Sequence, residues 1–335
     1  MTRLRVGLIG AGRIGTIYSE VMKESEWIEL VAVADVDLPA AKVLASRIEC
    51  EAYKSHEALA DGAHPDAVIV GTPPNLHSAI ALEMLAQGIH VICEKPFALT
   101  SLEAVEMLAA AESNGALLTM ASKFRYVDDV RRALSIVSSG VLGELILLEN
   151  TFASRVDMSS RWNADPSVSG GGVMIDNGTH SVDLIRSFLG PLSDVMAVEG
   201  KRTQNLGVED TAQIFLQSHD GVRATIDLSW SIDKARPWYL EIYGSEGTIQ
   251  IGWETARYRQ RTSPDWIEFG SGYSRDRAMR AQVDNFASAI LHHDRLAISA
   301  LDALASVEVI EAAYRSLLND HWIRVETNSV ASLAR

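Results

Sequence analysis

The chain has 335 residues, of which 47% are hydrophobic and 22% charged, and its formal net charge is −14. This length suggests two domains, and the composition is that of a soluble globular protein. The negative charge argues against nucleic acid and anionic membranes as main partners, because its long-range field repels both. A small neutral or polyhydroxylated organic substrate fits this charge better.

The cellular compartment follows from what the sequence lacks. No apolar stretch approaches the roughly 20 residues that cross a bilayer. The opening run, MTRLRVGLIG, enters a strand-like pattern at once and is too short for a signal peptide. Two cysteines, Cys50 and Cys93, cannot form a disulfide framework. The sequence therefore predicts a cytoplasmic protein without a membrane span.

The first 120 or so residues alternate short apolar runs with helical patterns. The predicted strands are 4–10, 28–35, 52–53, 67–72, 90–96 and 116–121, and the predicted helices are 13–24, 38–48, 76–87 and 100–113. Such alternation is typical of a doubly wound α/β domain, a parallel sheet covered on both faces. Sheets of this kind bind ligands at the carboxyl ends of their strands.

The motif GAGRIG, residues 10–15, lies between the first strand and the first helix. Gly10 permits the tight turn, Gly12 lets a pyrophosphate touch the backbone, and Gly15 lets helix and strand pack closely. The positive end of the helix dipole then faces the phosphates. The motif predicts a Rossmann dinucleotide site, with Gly10, Gly12, Arg13, Ile14 and Gly15 among its cofactor-binding residues.

An acidic residue ends the second strand, twenty residues after the last glycine of the motif. This residue, Asp35, stands where an acid accepts hydrogen bonds from the ribose hydroxyls of the adenosine. Val36 follows it, and no Arg or Ser stands beside it to bind the 2′-phosphate of NADP. We therefore predict NAD as the cofactor rather than NADP.

Two further loops follow strands at the same edge of the sheet. In GTPPNLHS, residues 71–78, Asn75 is a candidate helix N-cap, and His77 fits a structural role better than a catalytic one. In EKP, residues 94–96, Lys95 would project toward the nicotinamide. The residues predicted to line the cofactor site in these loops are Thr72, Pro73, Asn75, His77, Glu94 and Lys95.

Three glycines introduce a helix in GGGVMIDNGTH, residues 170–180. Asp176 and His180 are four residues apart and would stand together on one helix face. Asp183 continues this polar stripe, and a glycine–proline pair then ends the helix. From the residues alone, a catalytic acid–base pair and a solvated helix face both stay open.

Together, GAGRIG with Asp35, EKP at 94–96 and GGGVMIDNGTHSVD at 170–183 resemble the Gfo/Idh/MocA oxidoreductases, which are sugar and polyol dehydrogenases. The resemblance covers essentially the whole chain. It implies an NAD-binding Rossmann domain over 1–123. It also implies a substrate-binding and oligomerisation α+β domain over 124–335, with a large open, mainly antiparallel sheet, and closing helices able to pack back on the first domain.

The second half of the sequence supports that sheet independently. Strand-like runs occur at 210–218, 222–232, 238–247 and 248–253, with turn residues between them. A large sheet with one uncovered face needs cover. The resemblance implies that a homodimer or homotetramer supplies it.

The resemblance also implies a catalytic set, which maps to Lys95, Asp176 and His180. Oxidation of a secondary alcohol of a sugar, inositol or related polyol sends a hydride to the nicotinamide, while the hydroxyl proton needs a base. We assign His180 as general base and acid, Lys95 as electrostatic stabiliser of the alkoxide, and Asp176 as the binding and orienting carboxylate. Lys95 as the proton acceptor is the rival assignment.

Several further residues are candidates for substrate binding, with less support from the sequence. Arg125 follows the sixth strand, where binding of substrate or cofactor and a surface ion pair both stay open. Asp183 fits helix stabilisation or contact with His180. The sequence HHD, residues 292–294, reads as the polar end of a helix, and no metal site is expected. The predicted substrate-binding residues are Arg125, Arg161, Trp162 and Asn177.

Two alternative functions stay open, and both use NAD without net oxidation of a substrate. A redox-neutral enzyme would oxidise a sugar carbon transiently, cleave a glycosidic bond or epimerise a centre, and regenerate NAD with the same three residues. A non-enzymatic NAD-binding regulator would tolerate loss of the lysine or the histidine, and neither is lost. The sequence does not specify the sugar, the carbon, the direction or the number of subunits.

Overall fold

The computed structural model describes residues 3–326, and the chain divides into two compact units. One unit comprises the residues up to Lys123 together with Arg275–Leu304. The other comprises Phe124–Ser274 and the described residues from Ala305 onward. Each unit has its own sheet.

The helices and strands follow one another in chain order. Up to the end of the first sheet they are β1 (Leu4–Ile9), α1 (Arg13–Lys23), β2 (Ile28–Ala34), α2 (Leu38–Ile48), β3 (Glu51–Tyr53), α3 (His56–Ala63), β4 (Ala67–Val70), α4 (His77–Ala86), β5 (His90–Glu94), α5 (Ser101–Ser113) and β6 (Leu118–Ala121). After them come α6 (Asp128–Ser138), β7 (Leu145–Ala153), α7 (Pro166–Ser169), α8 (Val173–Leu189), β8 (Leu192–Glu199), β9 (Thr211–Ser218), β10 (Arg223–Ser229), β11 (Trp238–Gly244), β12 (Gly247–Gly252), β13 (Ala256–Gln260), β14 (Ile267–Glu268), α9 (Arg275–His292), α10 (Ala300–Asn319) and β15 (Ile323–Arg324).

The sheet of the first unit is parallel throughout, in the order β3-β2-β1-β4-β5-β6. This is the order of a Rossmann fold, so the prediction of a doubly wound domain is confirmed. The four residues of β4 are fully buried because helices cover both faces of the sheet. The strand order reverses between β1 and β4, and ligands of such sheets bind at this switch point.

One helix of the first unit was not predicted. Helix α3 follows β3 and is capped by Ser55, whose hydroxyl accepts a hydrogen bond from the backbone N–H of Ala58. Its sequence, HEALADGA, has one large apolar residue, Leu59, which is fully buried. With so few apolar residues it shows little helical periodicity.

The sheet of the second unit has nine strands in the order β14-β13-β12-β11-β7-β10-β9-β8-β15. All neighbours are antiparallel except β7 and β10, which run parallel. The expectation of a mainly antiparallel sheet is confirmed. Helix α8 packs on β7, β9 and β10, and residues of β9 alternate between buried (Ala212, Ile214) and exposed (Gln213). This alternation gives the sheet one apolar and one more polar face.

Helix α9 belongs to the first unit and packs on α1. Its apolar side chains Met279, Val283 and Phe286 are buried in the same core as β1 and β2. Within residues 3–326, no helix combines the length and the apolarity that crossing a membrane requires.

Candidate active site

The glycine-rich loop has three glycines with different physical needs. Gly10 has φ +107°, and a Cβ there would lie against the carbonyl of Gly71 at the end of β4. A Cβ on Gly15 would overlap the carbonyl oxygen of Gly10. A Cβ on Gly12 would meet no atom within 4 Å. Gly10 and Gly15 are therefore required by the fold, whereas Gly12 leaves open space in front of α1.

The start of α1 is suited to an anion. Gly12 occupies its N-cap position, and no side chain in the described part of the chain caps it. Its first N–H groups and the positive end of its dipole form the kind of site that phosphates occupy. The cofactor pyrophosphate therefore fits, with the exposed Arg13 and the half-buried Ile14 in the first turn beside it.

Asp35 holds this loop from the end of β2. Its Oδ2 accepts a hydrogen bond from the backbone N–H of Ala11 at 2.7 Å, and its Oδ1 accepts one from Asp37 at 2.8 Å. Asp35 thus links the glycine-rich loop to the second strand, at the place predicted for the ribose hydroxyls. Val36 beside it is exposed.

His77 connects two of the loops at the strand ends. Its side chain is fully buried, its Nδ1 lies 2.8 Å from the carbonyl oxygen of Pro96, and its Nε2 lies 2.9 Å from that of Thr72. Burial lowers its pKa, more than the two carbonyl oxygens raise it. The imidazole therefore links the loop after β4, which contains Thr72, to the EKP loop after β5.

The predicted N-cap role of Asn75 is wrong. Asn75 lies exposed inside a short 3-10 turn, Pro74–Leu76, and α4 begins only at His77 with Leu76 in the N-cap position. Pro73 is extended, with ψ 147°, because the ring of Pro74 disfavours a helical backbone in the residue before it. The turn therefore begins at Pro74, and Asn75 lies inside it rather than at a cap. The hydroxyl of Thr72 is buried with no hydrogen-bond partner within residues 3–326, as expected of a group that awaits a ligand.

Helix α8 buries the polar stripe that the sequence placed on one face. His180 is 7% exposed and Asp183 is fully buried, while Asp176 is half-buried. The imidazole of His180 lies edge-on to the ring of Phe124, with 5.2 Å between centroids. A solvated helix face is therefore wrong for His180 and Asp183.

The glycines before α8 make room for a buried carboxylate. The backbone N–H groups of Gly172 and Met174 donate to Glu209 at 3.0 Å, and the hydroxyl of Tyr314 donates to it at 2.7 Å. A Cβ on Gly172 would overlap the carbonyl oxygen of Glu209, and one on Gly171 would overlap the Tyr314 hydroxyl. An anion at a helix N-terminus is stabilised by the dipole. Glu209 thus fixes the first turn of the helix that bears Asp176 and His180.

The chemistry of Glu209 follows from its burial. Desolvation raises its pKa above the ordinary value, while the Tyr314 hydroxyl and the backbone donors partly oppose this. Neither Glu209 nor Tyr314 was predicted, because they lie 35 to 142 residues from their partners in the chain. Gly178 has a packing role as well, since a Cβ there would press on Leu228 of β10.

Arg125 and Asp183 form a buried ion pair. The Nη2 of Arg125 lies 2.7 Å from Oδ1 of Asp183, and its Nε donates to the same oxygen at 2.9 Å. The Arg125 side chain is 11% exposed. The ion pair expected at the surface is therefore buried, and it joins α8 to the segment that follows residue 123. Contact of Arg125 with substrate or cofactor stays a prediction.

The remaining predicted substrate residues lie elsewhere in the second unit. Arg161 and Trp162 are exposed at a short 3-10 turn, and Asn177 is half-buried on α8. Their contact with substrate stays a prediction.

Within residues 3–326, one group of side chains lies close enough together to hold a metal ion. His56, Glu57 and Glu83 form a group at the surface of the first unit, and its His56 Nε2 lies 2.8 Å from the Glu83 carboxylate. His292 ends α9 and packs edge-on against Trp27, in agreement with its reading as a helix end.

Comparison with known proteins places this arrangement in a family. The model of an oxidoreductase family with an NAD-binding Rossmann fold, GFO_IDH_MocA, matches residues 4–122. The model of the GFO/IDH/MocA C-terminal domain matches residues 130–250. The chain belongs to the Gfo/Idh/MocA family. This member is thus an NAD-binding oxidoreductase, and both the recognised family and the predicted cofactor are confirmed.

Relatives match this Gfo/Idh/MocA protein over nearly its full length. The rhizopine catabolism protein MocA of Rhizobium meliloti is 26% identical over 339 residues, covering 98% of this chain and 100% of the relative. Inositol 2-dehydrogenase of Rhizobium meliloti strain 1021 is 27% identical over 342 residues, covering 96% of this chain and 99% of the relative. The crystal structure of GenD2 from gentamicin A biosynthesis, in complex with NAD, is 26% identical with a TM-score of 0.85 and covers 97% of both chains.

The two glycines Gly12 and Gly15 give a matched pair of variants. We expect Gly12→Ala to leave the fold intact and to weaken NAD⁺ binding by about tenfold or more, because its methyl group fills the space in front of α1. Gly15→Ala instead should lower the free energy of unfolding by roughly 1–3 kcal/mol, because its methyl group overlaps the Gly10 carbonyl. NAD⁺ titration by fluorescence and urea unfolding of both variants check this. Equal NAD⁺ affinity of Gly12→Ala and the parent would contradict it.

Proposed function

We propose that this oxidoreductase transfers a hydride between a secondary alcohol carbon of a sugar, inositol or related polyol and NAD. The observation that carries the proposal is His180, buried on α8 one turn after Asp176, in a helix whose start is fixed by Glu209. The near full-length similarity to a protein named inositol 2-dehydrogenase supports the substrate class.

The residues divide the chemistry between them. His180 accepts the hydroxyl proton of the alcohol and returns it in the reverse reaction, since an imidazole titrates near neutral pH. Asp176 accepts a hydrogen bond from a substrate hydroxyl and orients it. Lys95, at the end of β5, stabilises the negative charge that develops on the alcohol oxygen.

The cofactor site has matching donors and space. NAD, when bound, supplies a nicotinamide ring that takes up and returns a hydride. The start of α1 and the open space at Gly12 suit its pyrophosphate, and Asp35 suits its adenosine ribose. The buried hydroxyl of Thr72 offers a further donor at the switch point.

We propose further that two or more copies assemble through the more polar face of the nine-stranded sheet. On this face lie the exposed Val198 and the half-buried Met196, Phe215 and Tyr243. Such a mixture of apolar and hydrogen-bonding side chains is typical of interfaces. Sedimentation equilibrium should report a dimer or tetramer, and Phe215→Glu should shift it toward monomer. A monomer at micromolar concentration would contradict the assembly.

The function is tested with purified protein, NAD⁺ or NADP⁺, and a panel of inositols, aldoses and their glycosides. NADH absorbance and product chromatography are followed together. We expect stoichiometric NADH with at least one polyol, and weaker turnover with NADP⁺. Cleavage of a glycoside without net NADH would instead indicate the redox-neutral cycle.

A further inference from the structure

The carboxyl ends of β5 and β6 bring three ionisable residues to one edge of the sheet of the first unit. Glu94 is the last residue of β5 and pairs with Ala121, the last residue of β6. Lys95 follows Glu94 directly, and Lys123 follows Ala121 by two residues. One carboxylate thus stands with two lysines at neighbouring strand ends.

A buried hydroxyl holds that carboxylate. The Tyr18 hydroxyl donates to Oε1 of Glu94 at 2.6 Å, and Nε2 of Gln282 donates to the Tyr18 hydroxyl at 3.0 Å. The backbone N–H of Lys95 donates to Oε2 of Glu94 at 3.1 Å. Tyr18 is 0% and Gln282 1% exposed. Because Gln282 occupies the hydroxyl as donor, the only proton of the Tyr18 hydroxyl points to Glu94.

The bonding of Glu94 opposes the effect of its burial. Desolvation raises its pKa, while the Tyr18 hydrogen bond, and then the charges of Lys95 and Lys123, lower it. Together these effects leave the pKa of Glu94 above its ordinary value. Of the groups that favour the ionised carboxylate, Tyr18 has the largest effect.

Four charged groups from three elements act on Lys123: Glu94 and Lys95 at the end of β5, Arg275 on α9 and Arg13 on α1. Burial first, then the positive charge of Lys95, lower the pKa of Lys123 to about 8. Glu94 raises it, whereas Arg275 at the start of α9 and Arg13 at the start of α1 lower it. Glu94 is the one group among these that favours the charged lysine.

We propose that Tyr18 and Glu94 are positioning residues that set the positive charge which Lys95 and Lys123 present at the end of β5. Tyr18, oriented by Gln282, keeps Glu94 ionised. Ionised Glu94 keeps Lys123 charged beside a second lysine, which would otherwise repel its proton. The consequence for turnover rests on the proposed function, whereas the charge coupling itself does not.

The coupling is tested by NMR on the full-length protein with ¹³Cε-labelled lysine. The chain has only seven lysines, which limits overlap in the spectrum, and the signal that disappears in Lys123→Arg is that of Lys123. We expect the wild-type Lys123 signal to titrate near pH 8, with a second inflection at lower pH where Glu94 ionises. Tyr18→Phe should move this second inflection to higher pH by roughly half a unit to one unit.

Two further variants complete the titration. Glu94→Gln should abolish the acidic inflection and move the Lys123 midpoint to lower pH, because the favourable negative charge is gone. Tyr53→Phe is the matched control, since it removes another tyrosine hydroxyl that donates to a glutamate, the exposed Glu51. We expect it to leave the Lys123 curve unchanged. An identical Lys123 curve in wild type, Tyr18→Phe and Tyr53→Phe would overturn the proposal.

The link to turnover is read separately from the pH dependence of kcat/KM. The acidic limb should move to higher pH in Tyr18→Phe and stay in place in Tyr53→Phe. If no substrate turns over, the NMR titration still decides the charge coupling, so failure of the proposed function is distinguishable. If Tyr18→Phe does not fold, Gln282→Leu keeps the hydroxyl but removes its orienting donor and should shift the same inflection in the same direction. A shifted inflection with an unmoved kcat/KM profile would refute the positioning role.

Discussion

Replacing His180 by alanine is expected to lower kcat by about 10²–10⁴-fold, because the hydroxyl proton of the alcohol loses its acceptor. NAD⁺ affinity should change little, since the predicted cofactor contacts lie on β1, α1 and the β4 and β5 loops. Steady-state kinetics with the substrate found in the panel, together with fluorescence titration of NAD⁺, measure both quantities. The loss should be in kcat and kcat/KM alike, as for a group that acts in the transition state.

The matched control for this variant is His219→Ala. His219 lies exposed in the turn between β9 and β10 and is expected to leave kcat unchanged. The buried position of His180 against Phe124 also calls for a check of folding by circular dichroism. A His180→Ala protein that folds and keeps near wild-type turnover would move the role of base to Lys95.

Removing Asp183 is expected to cost roughly 3–5 kcal/mol of unfolding free energy, because it leaves the Arg125 charge buried and without its carboxylate. The relevant variant is Asp183→Leu, which is similar in volume and places no new polar group in the core. Urea denaturation followed by circular dichroism measures the change. The NAD⁺ affinity of folded Asp183→Leu should stay close to that of the parent.

The double variant Arg125→Met/Asp183→Leu separates the loss of the ion pair from the cost of burying the Arg125 charge without Asp183. With both charges gone, no uncompensated charge stays buried, so we expect it to recover most of the lost stability. A loss below about 1 kcal/mol in the single variant, or no recovery in the double variant, would contradict a buried ion pair that depends on both partners.

The parallel sheet of the first unit, most of its helices and helix α8 could be predicted from local sequence, whereas α3 could not. A glycine such as Gly10, which needs a positive φ at a strand end, and the apolar run of β4 each act over a few neighbouring residues. The spacing of Asp176 and His180 likewise follows from one helical turn. Several predicted strands extended one or two residues beyond the observed ones, because no local signal marks where the pairing with a neighbouring strand ends.

The parts of the fold and site that could not be predicted depend on contacts between residues far apart in the sequence. Glu209 and Tyr314 cap α8 from 35 to 142 residues away, and no local pattern reveals that pairing. The Tyr18–Glu94 bond likewise joins residues 76 apart. The Asn75 cap failed because a short 3-10 turn, set by the preceding prolines, replaced the first turn of the helix. Burial of the α8 stripe also became visible only once the sheet lay beneath it.

The central claim is hydride transfer from an alcohol carbon to NAD, and an isotope measurement tests it most directly. The polyol or sugar identified in the panel is prepared with deuterium at the reacting CH–OH carbon and incubated with this protein and NAD⁺. The proposed function predicts one deuterium in each NADH formed, seen as a mass increase of about one unit, and one equivalent of ketone product. Product that retains its deuterium while no labelled NADH accumulates would contradict net oxidation of the alcohol.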